Sequence, residues 1–203
     1  MNNPTLKQKL SSINLNFDDI FYQRCETFSS LLQEWGAVHN FTSFKALKPD
    51  IIEENIYDSI YPLSFLNPFE SFADIGTGAG YPGMLLAIAK PDTKATLIEP
   101  KAKRVAFLNF VKNTLNLDNV EIISKRVQEI KPANYDLITS RAVTNTSLLL
   151  SLTSHISSAN SEYLFYKGSL CQEEVEDAKL KNYQIINTTQ YRNYLYIKRE
   201  GLF

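Results

Sequence analysis

The sequence predicts an α/β fold: a mostly parallel seven-stranded sheet with helices on both faces and a helical N-terminal extension. Three observations carry that reading. From Ser71 onward, apolar strand-like runs alternate with helical patterns, the signature of a parallel sheet. Before that point, Met1 to Phe69 is helical in pattern. And four of the seven glycines (Gly76, Gly78, Gly80 and Gly83) fall within eight positions, between the first strand and the first helix of the alternation.

The elements follow in order. Asn16 is placed to cap a long helix, with Asp18 and Asp19 in its first turn. Phe17, Ile20, Phe21, Phe28, Leu31, Leu32 and Trp35 then recur at helical spacing as a packing stripe, and Gly36 reads as the end of the helix. The stretch His39-Asn40-Phe41-Thr42-Ser43 is a turn. Pro49 to Ile60 is a second helix with Ile52, Ile56 and Ile60 on one face, and Asn67-Pro68 breaks the chain. Ser71 to Asp74 is the first strand. Pro82 then occupies the first turn of a helix that stops at Pro91. Ala95 to Glu99 is a strand, and Lys101 to Leu115 is a helix with Val105, Leu108, Val111 and Leu115 inward. Val120 to Ser124, Tyr135 to Ser140 and Glu162 to Tyr166 are further strands. Helices at Leu148–Ile156 and Gln172–Leu180 flank the last of these. Tyr183–Ile186 and Tyr194–Lys198 are close enough to pair antiparallel. Residues 1–69 read as the extension and 70–203 as the sheet domain, the two forming one compact unit.

Composition narrows the function. With 44% hydrophobic residues the chain can bury a sizeable core, and its net charge of −1 excludes a strongly basic polyanion binder but not a local basic patch. Cys25, Cys171, His39 and His155 are isolated from one another, so no metal site is expected and the thiols fit a reducing compartment. The N-terminus carries no signal pattern, and no apolar run approaches the ~18 residues that span a bilayer. The expectation is a soluble, cytoplasmic monomer with no membrane partner.

Closely spaced glycines mark backbone that must approach a ligand, and a glycine loop feeding a helix is the usual cradle of a nucleotide-like cofactor. Gly78 to Gly83 fits the dinucleotide pattern G-x-G-x-x-G. However, Asp74 ends the strand, and Gly76 and Thr77 already belong to the loop. D-x-G-x-G-x-G resembles the first motif of S-adenosylmethionine-dependent methyltransferases, where the carboxylate lies near the cofactor's amino-acid portion. The two readings stand side by side on this loop alone.

Ligands of such sheets bind beyond the carboxyl ends of the strands. There the chain places Asp74, Glu99, Lys125-Arg126, Ser140-Arg141 and Lys167-Gly168. Glu99 offers two acceptor oxygens to a ribose diol, in either cofactor. Asp74 and Glu99 suit a cationic, hydroxylated cofactor. Lys125, Arg126, Arg141 and Lys167 suit a polyanion, together with Lys101, Lys103 and Arg104. The last three crowd a helix N-terminus, where a phosphate would offset their unfavourable charge.

An ordered set of motifs now stands out. Asp74-Ile75-Gly76-Thr77-Gly78-Ala79-Gly80-Tyr81-Pro82-Gly83 is followed by Lys103-Arg104-Val105-Ala106-Phe107-Leu108, Ser140-Arg141-Ala142 and Lys167-Gly168, with Asn40-Phe41-Thr42 and Asp58-Ser59 upstream. The set resembles the bacterial small-subunit ribosomal RNA guanine-N7 methyltransferases, the glucose-inhibited division protein B family, over most of the chain after Leu31. The resemblance implies a Rossmann-like class I methyltransferase fold and S-adenosyl-L-methionine as methyl donor. It implies a guanine of 16S rRNA near the decoding centre as acceptor, in naked RNA or in a small-subunit precursor.

Carried over by position, Gly76 and Tyr81 touch the cofactor, alongside Asp74, Gly78, Gly80 and Glu99. Val127 and Gln128 lie next to the adenine. Arg141 stands at the active-site mouth as the candidate catalytic residue, holding phosphate or guanine O6. The chain departs from the family at Glu99, often Asp, at Gln128, often an acid, and at Glu54-Asn55, where many members carry Arg-His. Guanine N7 has a lone pair and no proton, so the reaction needs no general base. Rival readings are a small-molecule methyltransferase of the same fold, an NAD-dependent oxidoreductase, and a non-catalytic ribosome-associated RNA-binding protein.

Overall fold

A computed structural model describes residues 4–39, 41–188 and 192–198. Asn40, part of the anticipated turn and of one family motif, lies outside the described residues. Seven strands form one sheet: β1 (Ser71–Ile75), β2 (Lys94–Ile98), β3 (Val120–Ile123), β4 (Tyr135–Arg141), β5 (Ser157–Lys167), β6 (Tyr183–Asn187) and β7 (Asn193–Lys198). Their order is β3-β2-β1-β4-β5-β7-β6. Every neighbouring pair is parallel up to β5, and β7 runs antiparallel to both β5 and β6. The strand order reverses between β1 and β4, and that switch point is where such sheets bind ligands.

Both faces of the sheet are covered, so its central strands are buried on both sides. On one face Phe72, Leu137, Leu164 and Tyr166 pack with α4 (Gly83–Ala89), α5 (Ala102–Thr114) and the N-terminal helices. On the other, Ala73, Ile75, Ile138 and Phe165 pack with α6 (Thr146–Thr153) and α7 (Cys171–Asp177). The N-terminal helices are α1 (Leu6–Ser11), α2 (Asp19–His39) and α3 (Pro49–Ile60). α3 buries Ile52, Ile56 and Ile60, as their spacing predicts. Each contributes on the order of 2 kcal/mol by leaving water.

Several local expectations are corrected. The α2 cap is Asp18, whose Oδ1 accepts the Phe21 N–H at 2.9 Å. Asn16 instead accepts the Ser11 hydroxyl. α2 also runs through Gly36 to His39. Gly36 is there because a Cβ would collide with Leu47 of the 3-10 turn Phe44–Leu47, so it permits close packing and does not end the helix. α4 begins at Gly83, with Pro82 as its cap. In α5 the buried face is Phe107, Leu108 and Val111, and Val105 is half-buried. β5 is longer than its apolar core, because Ser157–Ser161 extends the strand.

Candidate functional site

The glycine loop closes over the carboxyl ends of β1 and β2. The N–H groups of Gly76 and Thr77 donate to the Ile98 carbonyl, at 2.8 and 3.3 Å. Gly76, Gly78 and Gly80 all have positive φ, which side-chain-bearing residues rarely adopt. Gly83 solves a different problem. A Cβ there would stand 2.6 Å from Asp74 Oδ2, so glycine is what lets α4 settle onto β1. Its N–H then donates to that same oxygen at 2.8 Å.

Asp74 is wholly buried, and among the described residues its other oxygen, Oδ1, makes no hydrogen bond of good geometry. Burial pushes its carboxyl up to about 6, against the pull of the Thr77 side chain, the Gly83 N–H and the Arg141 charge. Among the described residues, the buried side-chain polar atoms left without a hydrogen bond are Asp74 Oδ1, Thr77 Oγ1 and the Tyr81 hydroxyl. All three belong to the glycine-loop stretch. An unpaired buried carboxylate oxygen is costly and calls for a donor, best a cationic one.

Beside the loop is a cleft of about 490 Å³. Gly76, Thr77, Gly78, Tyr81, Glu99, Lys101, Arg104 and Arg141 line it from the sheet side. Leu32, Phe41, Thr42, Ala46 and Asn55 line it from the extension. Glu99 is 2% exposed, with Oε2 accepting the Gly78 N–H at 3.0 Å and Oε1 the Lys101 N–H at 2.9 Å. Arg104 Nη1 stands 3.4 Å from Oε2. A carboxylate has about four lone-pair directions, so Glu99 retains capacity for ligand hydroxyls.

Arg141, at the end of β4, crosses above Tyr81 with its guanidinium 4.9 Å from the ring centre. One nitrogen, Nη1, is anchored by Asn55 Oδ1 at 3.0 Å and Asp58 Oδ2 at 3.1 Å. Asp58 is buried and also receives Arg192 at 2.8 Å and the Tyr194 hydroxyl at 2.8 Å. Burial raises its carboxyl pKa although both arginines and Tyr194 oppose that. Among the described residues, the hydrogen bonds of the Arg141 guanidinium run from Nη1 alone. The Glu54-Asn55 departure thus has a concrete consequence: Asn55 is a cleft residue that steadies Arg141.

The remaining sequence candidates scatter. Lys101, Lys103, Lys125 and Arg126 are exposed beyond the strand ends. Arg104 is drawn inward to Glu99. Lys167 does not belong with the surface cations: its ammonium is buried and held by Glu174 at 2.6 Å and the Thr144 carbonyl at 3.1 Å. Burial opposes ionisation of Glu174, but Lys167 and Thr146 hold its carboxyl below the usual range. Val127 is buried and Gln128 exposed, in the 3-10 turn after β3, and neither lines the cleft. Sequence reasoning missed Thr77, Asn55, Ala142 and Val143. Val143 is visible only in three dimensions, where its Cγ2 would stand 2.5 Å from a Cβ on Gly76. Among the described residues no cluster of metal-ligating side chains occurs, and no helix is long and apolar enough to cross a membrane.

Comparison with known proteins agrees with this geometry. A family model described as rRNA small subunit methyltransferase G matches residues 22–195. The chain is 60% identical to the ribosomal RNA small subunit methyltransferase G of Aliarcobacter butzleri, over 95% of this chain and 98% of that one. It is 43% identical to that of Wolinella succinogenes, over 98% and 99%. In fold it is similar to a SAM-dependent methyltransferase from Aquifex aeolicus, with a TM-score of 0.59 at 20% identity over 75% of this chain and 94% of that chain. The loop, the two strand-end carboxylates and the fold agree with an S-adenosylmethionine-dependent methyltransferase, and the chain belongs to the rRNA small subunit methyltransferase G family.

Proposed function

We propose that this protein methylates N7 of one guanine in 16S rRNA near the decoding centre, acting in the cytoplasm as a monomer on the RNA or a small-subunit precursor. S-adenosylmethionine supplies an electrophilic methyl group when bound. The residues present fit it. Thr77 and Glu99, in the cleft lining, would suit its amino-acid end and its ribose, and Asp74, buried beneath the loop and outside that lining, would supply negative charge to its ammonium. Val127 and Gln128 stand outside the present cleft lining and would serve the adenine from the β3 side.

The observation that carries the reading is Arg141. It is fixed at Nη1 and laid over Tyr81, leaving Nη2 and Nε to orient an incoming phosphate or guanine O6. N7 carries no proton, so the chain has none to remove. What the cleft residues would supply is position, orienting the acceptor nitrogen toward the methyl group of the donor held by the loop. The product guanine is cationic, and Glu99 offers negative charge in the same cleft. Exposed Lys101, Lys103, Lys125 and Arg126 attract and register the RNA through its phosphates.

The test is transfer of labelled methyl from S-adenosylmethionine to small-subunit particles lacking the modification, with naked 16S rRNA beside them. Cleavage at N7-methylguanine then maps the label. Label at one guanine supports the reading, and no label with demonstrated cofactor binding refutes it.

A further inference from the structure

Behind the wall that carries Arg141 lies a second cavity of about 470 Å³. Asn55 lines both spaces, so the two are neighbours. The second is walled by Tyr57, Tyr61, Tyr194, Asp58 and Arg192. Tyr61 stacks on Tyr194 with centroids 5.3 Å apart and planes 15° apart, and Tyr57 leans against Tyr61 at 5.9 Å. Tyr57 and Tyr61 are half-buried, which leaves ring surface available.

The single oxygen Asp58 Oδ2 faces two guanidinium groups, Arg141 at 3.1 Å on the cleft side and Arg192 at 2.8 Å on the cavity side. The cavity lining sets two cations, Lys9 and Arg192, against two carboxylates, Glu54 and Asp58. Lys9 stands 2.9 Å from Glu53 and 3.7 Å from Glu54. Arg192 shares Asp58 with Arg141, and its side chain is 35% exposed.

We propose that this cavity is a subsite for an RNA nucleotide flanking the target guanine, with its base against Tyr57 and Tyr61 and its phosphate on Arg192. This inference rests on the RNA methyltransferase reading. A tyrosine platform with an arginine at its edge suits that ligand. Every base has a stackable face, and a guanidinium fits a phosphate with paired donors. A small anion alone would leave the tyrosine surface unused, and an apolar ligand would have no use for the partly exposed guanidinium of Arg192. The position is compatible, because Asn55 lines both this cavity and the cleft that holds Arg141.

The experiment uses the full-length protein with small-subunit rRNA as methyl acceptor and the variants Tyr57→Ala, Tyr57→Phe and Arg192→Gln, each checked by thermal melting. We expect Tyr57→Ala to raise KM for RNA about tenfold with kcat and cofactor affinity unchanged, as loss of one stacked base implies. Tyr57→Phe restores the wild-type KM. Arg192→Gln weakens RNA binding and lowers the log–log salt slope by about 0.7, the value of one single-strand phosphate contact. An unchanged KM in Tyr57→Ala together with an unchanged salt slope in Arg192→Gln overturns the subsite. If the wild-type protein methylates no RNA, the proposed function fails, and titration with the trinucleotide ApGpA decides the subsite separately. About tenfold weaker binding by Tyr57→Ala upholds it, and equal or absent binding overturns it.

Discussion

Replacing Asp74 by Asn separates what the carboxylate beneath the glycine loop does for stability from what it is proposed to do for cofactor binding. The carboxyl is fully buried and raised by that burial to about 6. In the unfolded chain it titrates near ~3.9. Because the folded pKa is the higher, the proton favours the folded state. The contribution is complete below about pH 4 and is lost as pH rises through about 6. Two units correspond to on the order of 3 kcal/mol that the ionised carboxylate costs the ligand-free protein at pH 7.5.

Asn keeps an acceptor for the Gly83 N–H and carries no charge. Asp74→Asn should therefore raise the melting temperature by roughly 6–12 °C at pH 7.5 and leave it unchanged near pH 4. The same substitution should weaken S-adenosylmethionine about 10- to 100-fold, since a charge-assisted contact is worth about 1.5–3 kcal/mol. Calorimetry of the wild-type protein at pH 6, in two buffers of different ionisation enthalpy, should show release of about half a proton on cofactor uptake, as the arriving ammonium depresses a half-protonated carboxyl. No pH-dependent gain in stability, or no proton release, would refute the argument that burial and an unpaired oxygen poise Asp74 for a cation.

Three further outcomes are expected. Arg141→Ala should cut kcat for methyl transfer about hundredfold with the fold intact, because Arg192 still pairs with Asp58; Arg141→Lys should not rescue it, since an ammonium lacks the planar fork. Gly83→Ala should destabilise the protein by about 1–3 kcal/mol in urea unfolding, because the new methyl meets Asp74 and Leu97 in a packed core. Lys167→Met should lower stability by about 1–2 kcal/mol and leave KM for RNA unchanged, as expected of a partly buried ion pair and not of an RNA contact. Since Glu174 is held below its ordinary pKa, the pair's contribution stays constant above about pH 5 and fades only in acid.

The sheet was legible because alternation and strand-end polarity are local properties. Glu99 and Arg141 close apolar runs and stand at the carboxyl edge, whereas Asp74, expected to end its strand, is the penultimate residue of β1, which runs on to Ile75. What escaped was partnership. Lys167 ends β5 as expected, but Glu174 on α7 captures it, and nothing in a linear pattern pairs residues from separate elements. Arg104 looked like a surface cation until the turn at Pro100 brought it to Glu99. Gly36 carries the composition of a helix end and the job of a helix contact, and those differ only in what Leu47 does across the gap. Asn55 could have been suspected from the motif that holds Asp58, since a residue three positions earlier shares its helix face.

The cleft's two-sided lining has a further consequence for anyone who would recombine this enzyme. Leu32, Phe41, Thr42, Ala46 and Asn55 come from before residue 70, yet they wall the same space as the glycine loop, and Phe28 packs edge-on against Tyr81. The first third of the chain is therefore not a detachable specificity module. A chimera that exchanges it must bring matching surfaces for Tyr81, Phe107 and Arg141, or it will lose methyl-donor binding along with whatever RNA preference it was built to change.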